Sequence, residues 1–473
     1  MRLSCTSLFL ISLALSPVSA QETRTLSRIA FGSCANQDKP LPIFDKIADA
    51  KPDLLLLLGD NIYADLDKSQ KVTPELIKEK YETLGKLPAW QKLKAACPML
   101  AIWDDHDYGR NDAGEEWELK DESKKLLLDF FEVPADAPRR KRGGVYAAAV
   151  IGPVGKRVQV IMLDGRYFRS KLEKAKEPDP VFKVKAYIPN DDPKATLLGE
   201  EQWKWLEEQL KTPAEIRLLC SGIQVIADEH PFEKWANFPK ERERLFKLIS
   251  DTKATGVIVL SGDRHLADLA CVKGVLDYPL FDATASGFNQ GADSWRAPEK
   301  NSYRIGGMPY GDNFGFLTID WAAADPLLTL QLRDATGDVA VKHSFPLSLI
   351  QDKKPADPKD PPKDPAPLPD GVVGPADALK LKVGDTATVQ MDVKAGKKLA
   401  TRMLLNSMKD FKSDDNFTIV LEKGALGGKF KELKEADFIG KAVKAKGKIQ
   451  TYQGRMQLAV TDEADVEIVG KKE

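Results

Sequence analysis

Short apolar runs that alternate with amphipathic stretches are the feature that most constrains how this chain can fold. Several runs are apolar at every position, which indicates strands buried on both faces, and the amphipathic stretches between them predict helices. The predicted strands are Arg28–Phe31, Leu54–Leu58, Met99–Trp103, Val158–Leu163, Arg217–Cys220 and Val257–Leu260, and the predicted helices are Thr73–Leu84, Ser123–Phe131, Gly199–Leu210 and Lys240–Asp251. This alternation favours an α/β sheet domain.

A proline-rich stretch divides the chain. Residues 351–370 hold seven of the 30 prolines and no large apolar cluster, so they cannot bury enough surface to fold and should form an extended linker. We therefore expect a large domain over residues 25–350, a linker over 351–371 and a small domain over 372–473. The composition, with 42% hydrophobic residues and a net charge of −1, excludes wholesale disorder and gives no overall attraction to nucleic acid.

The first twenty residues have the features of an export signal. Arg2 supplies a positive start, residues 8–15 form a short apolar run, and Val18-Ser19-Ala20 offers small residues for cleavage. The run is shorter than the roughly 20 apolar residues that span a bilayer, and a buried N-terminal helix is the alternative. We expect an exported protein, in the periplasm, at the cell surface or outside the cell, without a membrane anchor.

Cysteine usage leaves two interpretations open. Four cysteines remain after the export signal, namely Cys34, Cys97, Cys220 and Cys271. An even number in an exported protein permits two disulfides. Three of the four lie in or beside apolar runs, where a buried free thiol is at least as common.

Residue types that bind metals follow the predicted strands. The segments are Gly32-Ser33-Cys34, Gly59-Asp60-Asn61-Ile62-Tyr63, Asp104-Asp105-His106-Asp107-Tyr108, Asp164-Gly165-Arg166 and Ser261-Gly262-Asp263-Arg264-His265. The carboxyl ends of strands in an open α/β sheet share an edge where ligands bind, so we expect these side chains to meet. Loops that only reversed the chain would need Gly, Asn and Asp, but not His-Asp pairs beside Cys and Tyr.

Two kinds of ligand set are present, which predicts a two-metal site. Asp60 is the natural carboxylate to bridge both cations. The thiolate of Cys34, the phenolate of Tyr63 and the imidazole of His265 form a softer set that suits a transition metal such as iron.

The second set contains only oxygen ligands. Asp105, Asp263 and Asn111 suit a harder ion such as calcium or manganese. Asp107 and Asp112 compete with Asn111 for the last of these places. Two metals about 3.5–4 Å apart would hold a phosphoryl oxygen and lower the pKa of a bound water for in-line attack.

Further side chains are candidates for contact with a phosphate. His106 is placed to protonate the leaving oxygen or to contact the phosphate. Arg166 and Arg169 have the bidentate donors that grip phosphate, and pairing with a nearby Asp is the equal alternative. Arg264 either contacts the substrate or points into solvent, and His230 either lines the site or lies on a surface loop.

Four ordered motifs resemble the signature of the alkaline phosphatase D (PhoD-like) metallophosphatases. They are Phe31-Gly32-Ser33-Cys34, Gly59-Asp60-Asn61-Ile62-Tyr63, Trp103-Asp104-Asp105-His106-Asp107 and Ser261-Gly262-Asp263-Arg264-His265. The resemblance implies a fold of two facing β-sheets flanked by helices, in the order α/β/β/α. It further implies a phosphomonoesterase or phosphodiesterase that uses iron (Fe³⁺) and calcium, or another divalent metal, with a metal-bound hydroxide as the nucleophile.

The family's ligand roles carry over onto matching positions. The resemblance implies that iron is held by Cys34, Asp60, Tyr63 and His265, and the harder ion by Asp60, Asp105 and Asp263. It also identifies His106 as the catalytic histidine. A phospholipase-D-like phosphodiesterase fits the same motifs, and a polyanion-binding surface protein with a structural metal domain is the alternative from another class.

The C-terminal residues predict a small all-β domain that resembles an OB-fold barrel. The predicted strands are Thr386–Val393, Phe417–Leu421, Ala442–Gln450, Met456–Thr461 and Val466–Val469, with a short Tyr-Gln-Gly turn in one hairpin. Residues 372–473 hold nineteen Lys and Arg against fifteen Asp and Glu. Phe411, Phe417 and Tyr452 are candidates for stacking on a polyanion or nucleic acid, and core aromatics with a solvated lysine face are the alternative.

Overall fold

The computed structural model describes residues 24–294, 296–351, 371–408, 416–431, 433–439, 441–452 and 454–469. The export signal expected over residues 1–20 and all but the ends of the expected linker lie outside the described residues. The chain divides into two compact units, Met1–Lys353 and Lys354–Glu473. Within the described ranges, no helix combines the length and the apolar character needed to cross a membrane.

The first unit contains strands and helices in alternation. Its strands are β1 (Arg28–Gly32), β2 (Leu54–Leu58), β3 (Met99–Ile102), β4 (Ala147–Ile151), β5 (Val158–Met162), β6 (Glu173–Pro178), β7 (Lys185–Ile188), β8 (Ile216–Ser221), β9 (Val257–Ser261), β10 (Ala267–Val272), β11 (Leu280–Ala285), β12 (Asn313–Asp320), β13 (Leu327–Asp334) and β14 (Val339–Pro346). Its helices are α1 (Ile43–Asp49), α2 (Pro74–Lys86), α3 (Pro88–Ala96), α4 (Asp105–Tyr108), α5 (Lys120–Phe130), α6 (Pro138–Lys141), α7 (Gly199–Leu210) and α8 (Pro239–Asp251).

These strands form two six-stranded mixed sheets and a separate hairpin. One sheet has the order β14-β13-β12-β1-β2-β3 and the other the order β10-β11-β9-β8-β5-β4, while β6 pairs with β7. In the first sheet β1, β2 and β3 run parallel, and in the second β5, β8, β9 and β11 do so. The α/β class predicted from the sequence is confirmed.

The local sequence explains why the predicted elements form. Strand β2 is five consecutive leucines, all of them buried, as expected for a strand with parallel neighbours on both sides. Helix α2 begins where Thr73 accepts a hydrogen bond from the N–H of Leu76 at 3.3 Å, with Pro74 in the first helical position. Each predicted strand and helix is confirmed to within three residues at its ends.

Several elements of this unit were not predicted. Helices α1 and α3, the antiparallel strands β12–β14 on one side of the first sheet and the hairpin β6–β7 have no long continuous apolar run. Strand β6 is mostly exposed and reads Glu-Lys-Ala-Lys-Glu-Pro, a charged pattern that resembles a surface loop. Cys34, Cys97, Cys220 and Cys271 are free thiols, so the structure contains none of the permitted disulfides among these four.

The second unit is built on one sheet. Its strands are β15 (Val372–Val373), β16 (Thr386–Asp392), β17 (Ala395–Lys398), β18 (Arg402–Asn406), β19 (Thr418–Glu422), β20 (Ala442–Tyr452), β21 (Arg455–Val460) and β22 (Val466–Val469), with the short helix α9 (Pro375–Ala378). The order is β15-β16-β20-β21-β19-β18-β17, with β22 on β20, and in the described residues its ends do not pair. The expected all-β domain is present, but a closed OB-like barrel is not confirmed.

The aromatic residues predicted to stack on a polyanion lie in different environments. Phe417 is completely buried in the core of this unit, which is the core alternative of the two that the sequence left open. Phe411 lies outside the described residues. Tyr452 is 52% exposed at the end of β20, with the guanidinium of Arg402 5.5 Å from its ring centre.

Candidate metal centre

The carboxyl ends of strands from both sheets of the first unit meet at one point. Cys34 follows β1, Asp60 follows β2, and Asp263 follows β9. A parallel bridge between Ser33 and Ser286 joins the end of β1 to the end of β11, which belongs to the other sheet. The side chains predicted to meet therefore do so, across the junction of the two sheets.

The softer ligand set is assembled in a buried position. Ligand atoms of Cys34, Asp60 and His265 all lie within 4.8 Å of one another. The thiol of Cys34 is 3.3 Å from Asp60 Oδ2. The Tyr63 hydroxyl lies 3.4 Å from the same carboxylate oxygen and 3.1 Å from His265 Nε2. All four predicted members of this set are together.

The predicted oxygen ligands Asp60, Asp105 and Asp263 also lie together, and Asp104, which the sequence analysis did not predict, lies with them. Carboxylate oxygens of Asp60, Asp104, Asp105 and Asp263 lie within 4.8 Å of one another. Asp104 directly precedes Asp105 in the same motif, and that adjacency was the signal for it. Asp60 belongs to both sets, as a bridging ligand must.

Two carboxylate oxygens among these four aspartates have no hydrogen-bond partner in the described residues and are free to bind a cation. Asp104 Oδ2 and Asp105 Oδ1 are buried and have no hydrogen-bond partner in the described part of the chain. The other oxygens of these two residues accept from Arg166 Nε and from the N–H of Asp112, both at 2.6 Å. Buried carboxylate oxygens are normally paired or coordinate a metal, so the donor set fits a hard cation.

Burial makes the cluster electrostatically unfavourable without cations. Burial, with the charge of Asp105, raises the pKa of Asp60 well above its usual range. Burial raises the pKa of Asp263 to about 6, although Arg264 opposes the rise. Burial also raises the pKa values of the Cys34 thiol and the Tyr63 phenol, so both groups keep their protons unless a cation displaces them.

Four candidate ligands have a backbone conformation that is rare outside glycine. The φ angles are 66° for Cys34, 50° for Asp60, 67° for Asp263 and 56° for His265. Such residues cost about 1–3 kcal/mol each and persist where the surrounding structure enforces them, often at functional sites. Each of the four lies just past a strand, where the loop turns its side chain toward the common point.

His106 is oriented by an aspartate that sequence reasoning did not single out. Its Nδ1 lies 2.5 Å from Asp65 Oδ1, and its ring centre is 4.2 Å from that of Tyr63. Its backbone N–H donates to Asp60 Oδ1 at 3.2 Å. Burial lowers the pKa of His106, but the charges of Asp105 and Asp60 outweigh it and raise the pKa well above its usual value.

The residues that competed for the last oxygen ligand have other roles. Asp107 accepts from the N–H of Asp104 at 2.7 Å and from the side chain of Asn61 at 2.5 Å, so it supports the loops. Asp112 accepts from the Tyr187 hydroxyl at 2.5 Å. Asn111 is exposed and donates to Asp112 at 2.6 Å, and within the described residues no hydrogen bond joins its side chain to the four carboxylates.

Arg166 pairs with acidic residues through Nε and Nη1, while its buried Nη2 has no hydrogen-bond partner among the described residues. It is 1% exposed, and its guanidinium contacts Asp104 at 2.6 Å and Glu233 at 2.7 Å. Arg169, equally buried, lies 3.1 Å from the other oxygen of Glu233. For both arginines the structure shows the ion pair, which was one of the two predicted alternatives. Nothing in the sequence around Glu233 had indicated that it would be their partner.

Arg264 does not point into solvent, which was one of its two predicted alternatives, and its contact with a substrate stays a prediction. It is 7% exposed, pairs with Glu299 at 2.7 Å and with Asp263 at 3.2 Å, and lies over the ring of Phe232 at 3.9 Å. It therefore supplies positive charge directly behind a candidate metal ligand. His230 is buried rather than on the surface, 3% exposed.

The fold and this centre together define an α/β protein with two buried sets of candidate metal ligands. A family model described as PhoD-like phosphatase matches residues 29–286, a range that contains every predicted ligand and His106. The chain therefore belongs to the PhoD-like phosphatase family, which confirms the resemblance found in the motifs.

Individual relatives are more distant. The chain is 23% identical over 271 residues to alkaline phosphatase D of Bacillus subtilis (strain 168), an alignment that covers 50% of this chain and 45% of that protein. The chain thus spans about half the length of this curated relative. The solved structure described as "Structure of PhoD" superposes with a TM-score of 0.54 at 18% identity, over 69% of this chain and 70% of that one. The latter similarity supports the α/β fold.

Replacing Arg166 tests whether it holds the cluster together. We expect Arg166→Met to lower the free energy of unfolding by about 3–5 kcal/mol, because it leaves Asp104 as a buried charge without its partner, while Glu233 keeps only its described pair with Arg169. Arg110→Met removes an exposed pair with Glu116 and should cost less than about 1 kcal/mol. Urea unfolding followed by circular dichroism measures both values. Equal effects of the two substitutions would contradict the assignment.

Proposed function

We propose that this chain is an exported, metal-dependent hydrolase of phosphate esters. The observation that carries the proposal is the buried meeting of a sulfur, nitrogen and phenol set with a four-carboxylate set that share Asp60. Membership in the PhoD-like phosphatase family supports the reaction class. The layered α/β/β/α arrangement expected from the resemblance, and cleavage after residue 20, are parts of the same proposal.

The two ligand sets suit different cations. Cys34, Tyr63 and His265 would hold iron together with Asp60, since thiolate, phenolate and imidazole favour a transition metal. Asp105 and the rest of the oxygen set would hold calcium or another hard divalent ion. When bound, two such cations polarise a phosphoryl group and ease attack by water.

His106 supplies the proton that the leaving oxygen needs. Asp65 holds Nδ1, so Nε2 is the nitrogen available to the substrate. The neighbouring carboxylates Asp60 and Asp105 keep the imidazole protonated, as a general acid requires. Arg166, which the sequence suggested as a phosphate contact, instead positions Asp104 through the buried pair described above.

Iron held by Tyr63 should be visible directly. We expect the purified protein to contain iron and to show a visible absorption band from phenolate-to-iron charge transfer, and Tyr63→Phe should abolish that band. Tyr81→Phe is the matched control, because the Tyr81 hydroxyl is buried and has no partner among the described residues. Elemental analysis and absorption spectroscopy measure both. An unchanged band in Tyr63→Phe would rule out this ligand.

The role of His106 predicts a dependence on the leaving group. His106→Ala should lower kcat by about 10²–10⁴-fold for esters of alkyl alcohols, and by less for 4-nitrophenyl esters, whose leaving group needs no proton. Asp65→Asn should lower kcat about 10–100-fold through poorer orientation of the ring. Steady-state kinetics on both ester types provide the measurement.

The control for this pair is His343→Ala, since His343 lies half-buried on the edge strand β14. We expect its kinetics to equal those of the parent chain. A uniform loss on both ester types in His106→Ala would show that the histidine acts in binding rather than as an acid. The rates on monoesters and diesters, with and without calcium, separate a monoesterase from the phospholipase-D-like alternative.

The second unit gives a specific reason to consider a polyanionic partner. Lys446 and Lys448 are exposed on the outward side of β20, on the same face as the exposed Tyr452. We infer that this face tethers the hydrolase to a polyanion. Polyanion binding by the second unit is compatible with catalysis in the first unit. We therefore propose both roles together, in place of the alternative of a polyanion-binding surface protein whose metal domain is only structural.

Deletion of residues 372–473 tests the tether. We expect unchanged turnover of small chromogenic esters and at least tenfold weaker retention on a heparin column at low salt. The double variant Lys446→Ala, Lys448→Ala in the full chain should reproduce most of that loss, and Lys380→Ala, Lys394→Ala is the charge-matched control. Equal retention of the full and shortened chains would contradict the tether.

A further inference from the structure

Two consecutive backbone N–H groups, those of Asn111 and Asp112, donate to two different parts of the candidate centre. The N–H of Asn111 donates to Asp65 Oδ2 at 2.6 Å, and the other oxygen of Asp65 holds Nδ1 of His106. The N–H of Asp112 donates to Asp105 Oδ2, also at 2.6 Å. The segment 111–112 is therefore shared by the proposed general acid and by a carboxylate of the oxygen set.

These two bonds decide where the opposite oxygens of the aspartates point. The last torsion of an aspartate side chain has a broad range, so a donor on one oxygen fixes the direction of the other. In Asp105 the other oxygen, Oδ1, is buried and has no hydrogen-bond partner in the described part of the chain. In Asp65 the other oxygen is the one that holds His106. A shift of the segment 111–112 would thus turn both carboxylates.

The segment needs support from outside, because its backbone conformation is unfavourable. Asp112 has a φ of 54°, a left-handed value that residues other than glycine adopt rarely and that surrounding contacts must enforce. Arg169 Nη2 donates to the backbone carbonyl of Asp112 at 2.5 Å, and the side-chain amide of Asn111 donates to Asp112 Oδ2 at 2.6 Å. The first of these contacts holds the backbone, and the second holds the side chain.

A further contact to the side chain of Asp112 comes from the β6–β7 hairpin. The Tyr187 hydroxyl donates to Asp112 Oδ2 at 2.5 Å, across 75 residues of sequence. Tyr187 is itself held in place, because its N–H donates to Pro231 O at 2.8 Å and the ammonium of Lys174 lies 5.0 Å from its ring centre. The hairpin thus supplies a fixed hydroxyl against which the segment 111–112 rests.

We propose that Tyr187 is a positioning residue of the centre that acts through Asp112. This inference rests on the proposed function. The hydroxyl keeps the segment 111–112 in place, and the segment directs Asp105 at the hard cation and Asp65 at the ring of His106. Removal of the hydroxyl should therefore change two properties together, the affinity for the hard cation and the transfer of a proton to the leaving group.

Tyr187→Phe removes the hydroxyl and keeps the ring. We expect calcium to bind about three- to tenfold more weakly, since a direct partner of a ligand contributes about 10–100-fold and this one acts one step further out. Calorimetric titration of the iron-loaded protein with calcium chloride gives the affinity. The visible absorption band of the iron should be unchanged, because the two N–H groups act on the oxygen set and on the histidine.

The same variant should respond to the leaving group. At saturating calcium we expect kcat for alkyl esters to fall roughly threefold or more, and kcat for 4-nitrophenyl esters to stay close to the parent value, because only the former need a proton. Tyr167→Phe is the matched control. Tyr167 is also half-buried, its hydroxyl donates to Asp121 at 2.8 Å, and the ammonium of Lys120 lies 4.7 Å from its ring centre. This control should keep the parent affinity and kinetics.

A double-mutant cycle tests the route through Asp112. Asp112→Gly removes the carboxylate, keeps the backbone N–H and suits the left-handed φ, because glycine has no Cβ. On this background Tyr187→Phe should cause no further loss of calcium affinity, since the hydroxyl has already lost its acceptor. A loss of equal size on both backgrounds would overturn the proposal.

The remaining outcomes separate this inference from the proposed function. Ester hydrolysis with equal calcium affinity in the parent chain and in Tyr187→Phe would overturn the inference and leave the proposed function intact. Loss of the iron band together with calcium affinity in Tyr187→Phe would also overturn it, because it would show a general loosening of the fold. Selective loss of calcium affinity in a chain that hydrolyses neither type of ester would support the positioning of Asp105, and the proposed function would fail.

Discussion

The structure depends on the burial of like charges at one point. Four carboxylates lie within 4.8 Å of one another, and three of them are at most 2% exposed. In a medium of low dielectric constant such a group is strongly repulsive, so either protons or cations must accompany it. Burial raises the pKa values of Asp60 and Asp104 well above their usual range, and the charge of Asp105 adds to the rise. In the proposed function, divalent cations would offset this repulsion.

Buried arginines complete the charge balance from the protein side. Arg166 faces Asp104 and Arg264 faces Asp263, each from outside the cluster. Each guanidinium in turn has a second buried acid, Glu233 or Glu299, which prevents it from being an isolated charge. Positive charge therefore lies behind the ligands and leaves their other oxygens for the cations.

The sequence predicted the strand ends well because the physical signal there is local. Five consecutive leucines followed by Gly59-Asp60 predict a buried strand and a turn after it, and this prediction needs no knowledge of the neighbouring strands. Gly59 has a φ of 109°, and a Cβ there would lie 2.5 Å from the backbone nitrogen of Asp104, so the glycine is needed for β2 and the next loop to approach. Such a close approach, like the left-handed φ of Asp60, appears only once the sheets are assembled.

Contacts between distant segments were the part that could not be predicted. Asp65 and Glu233 are ordinary acidic residues in their own segments, and their importance comes from His106 and Arg166, which lie 41 and 67 residues away. The two alternatives for Arg166 stayed open in the sequence for the same reason, since a buried arginine and a phosphate-binding arginine look alike there. Asn111 was chosen by its neighbourhood, and only the folded loop shows that its amide points to Asp112.

The hairpin β6–β7 is joined to the rest of the first unit differently from the loops that carry the candidate ligands. The candidate ligands lie on loops that follow buried parallel strands, where a change in length would disturb both sheets. The hairpin instead pairs only with itself in the described sheets, and it reaches the centre through the single hydroxyl of Tyr187. Changes elsewhere in the hairpin would leave the ligands in place.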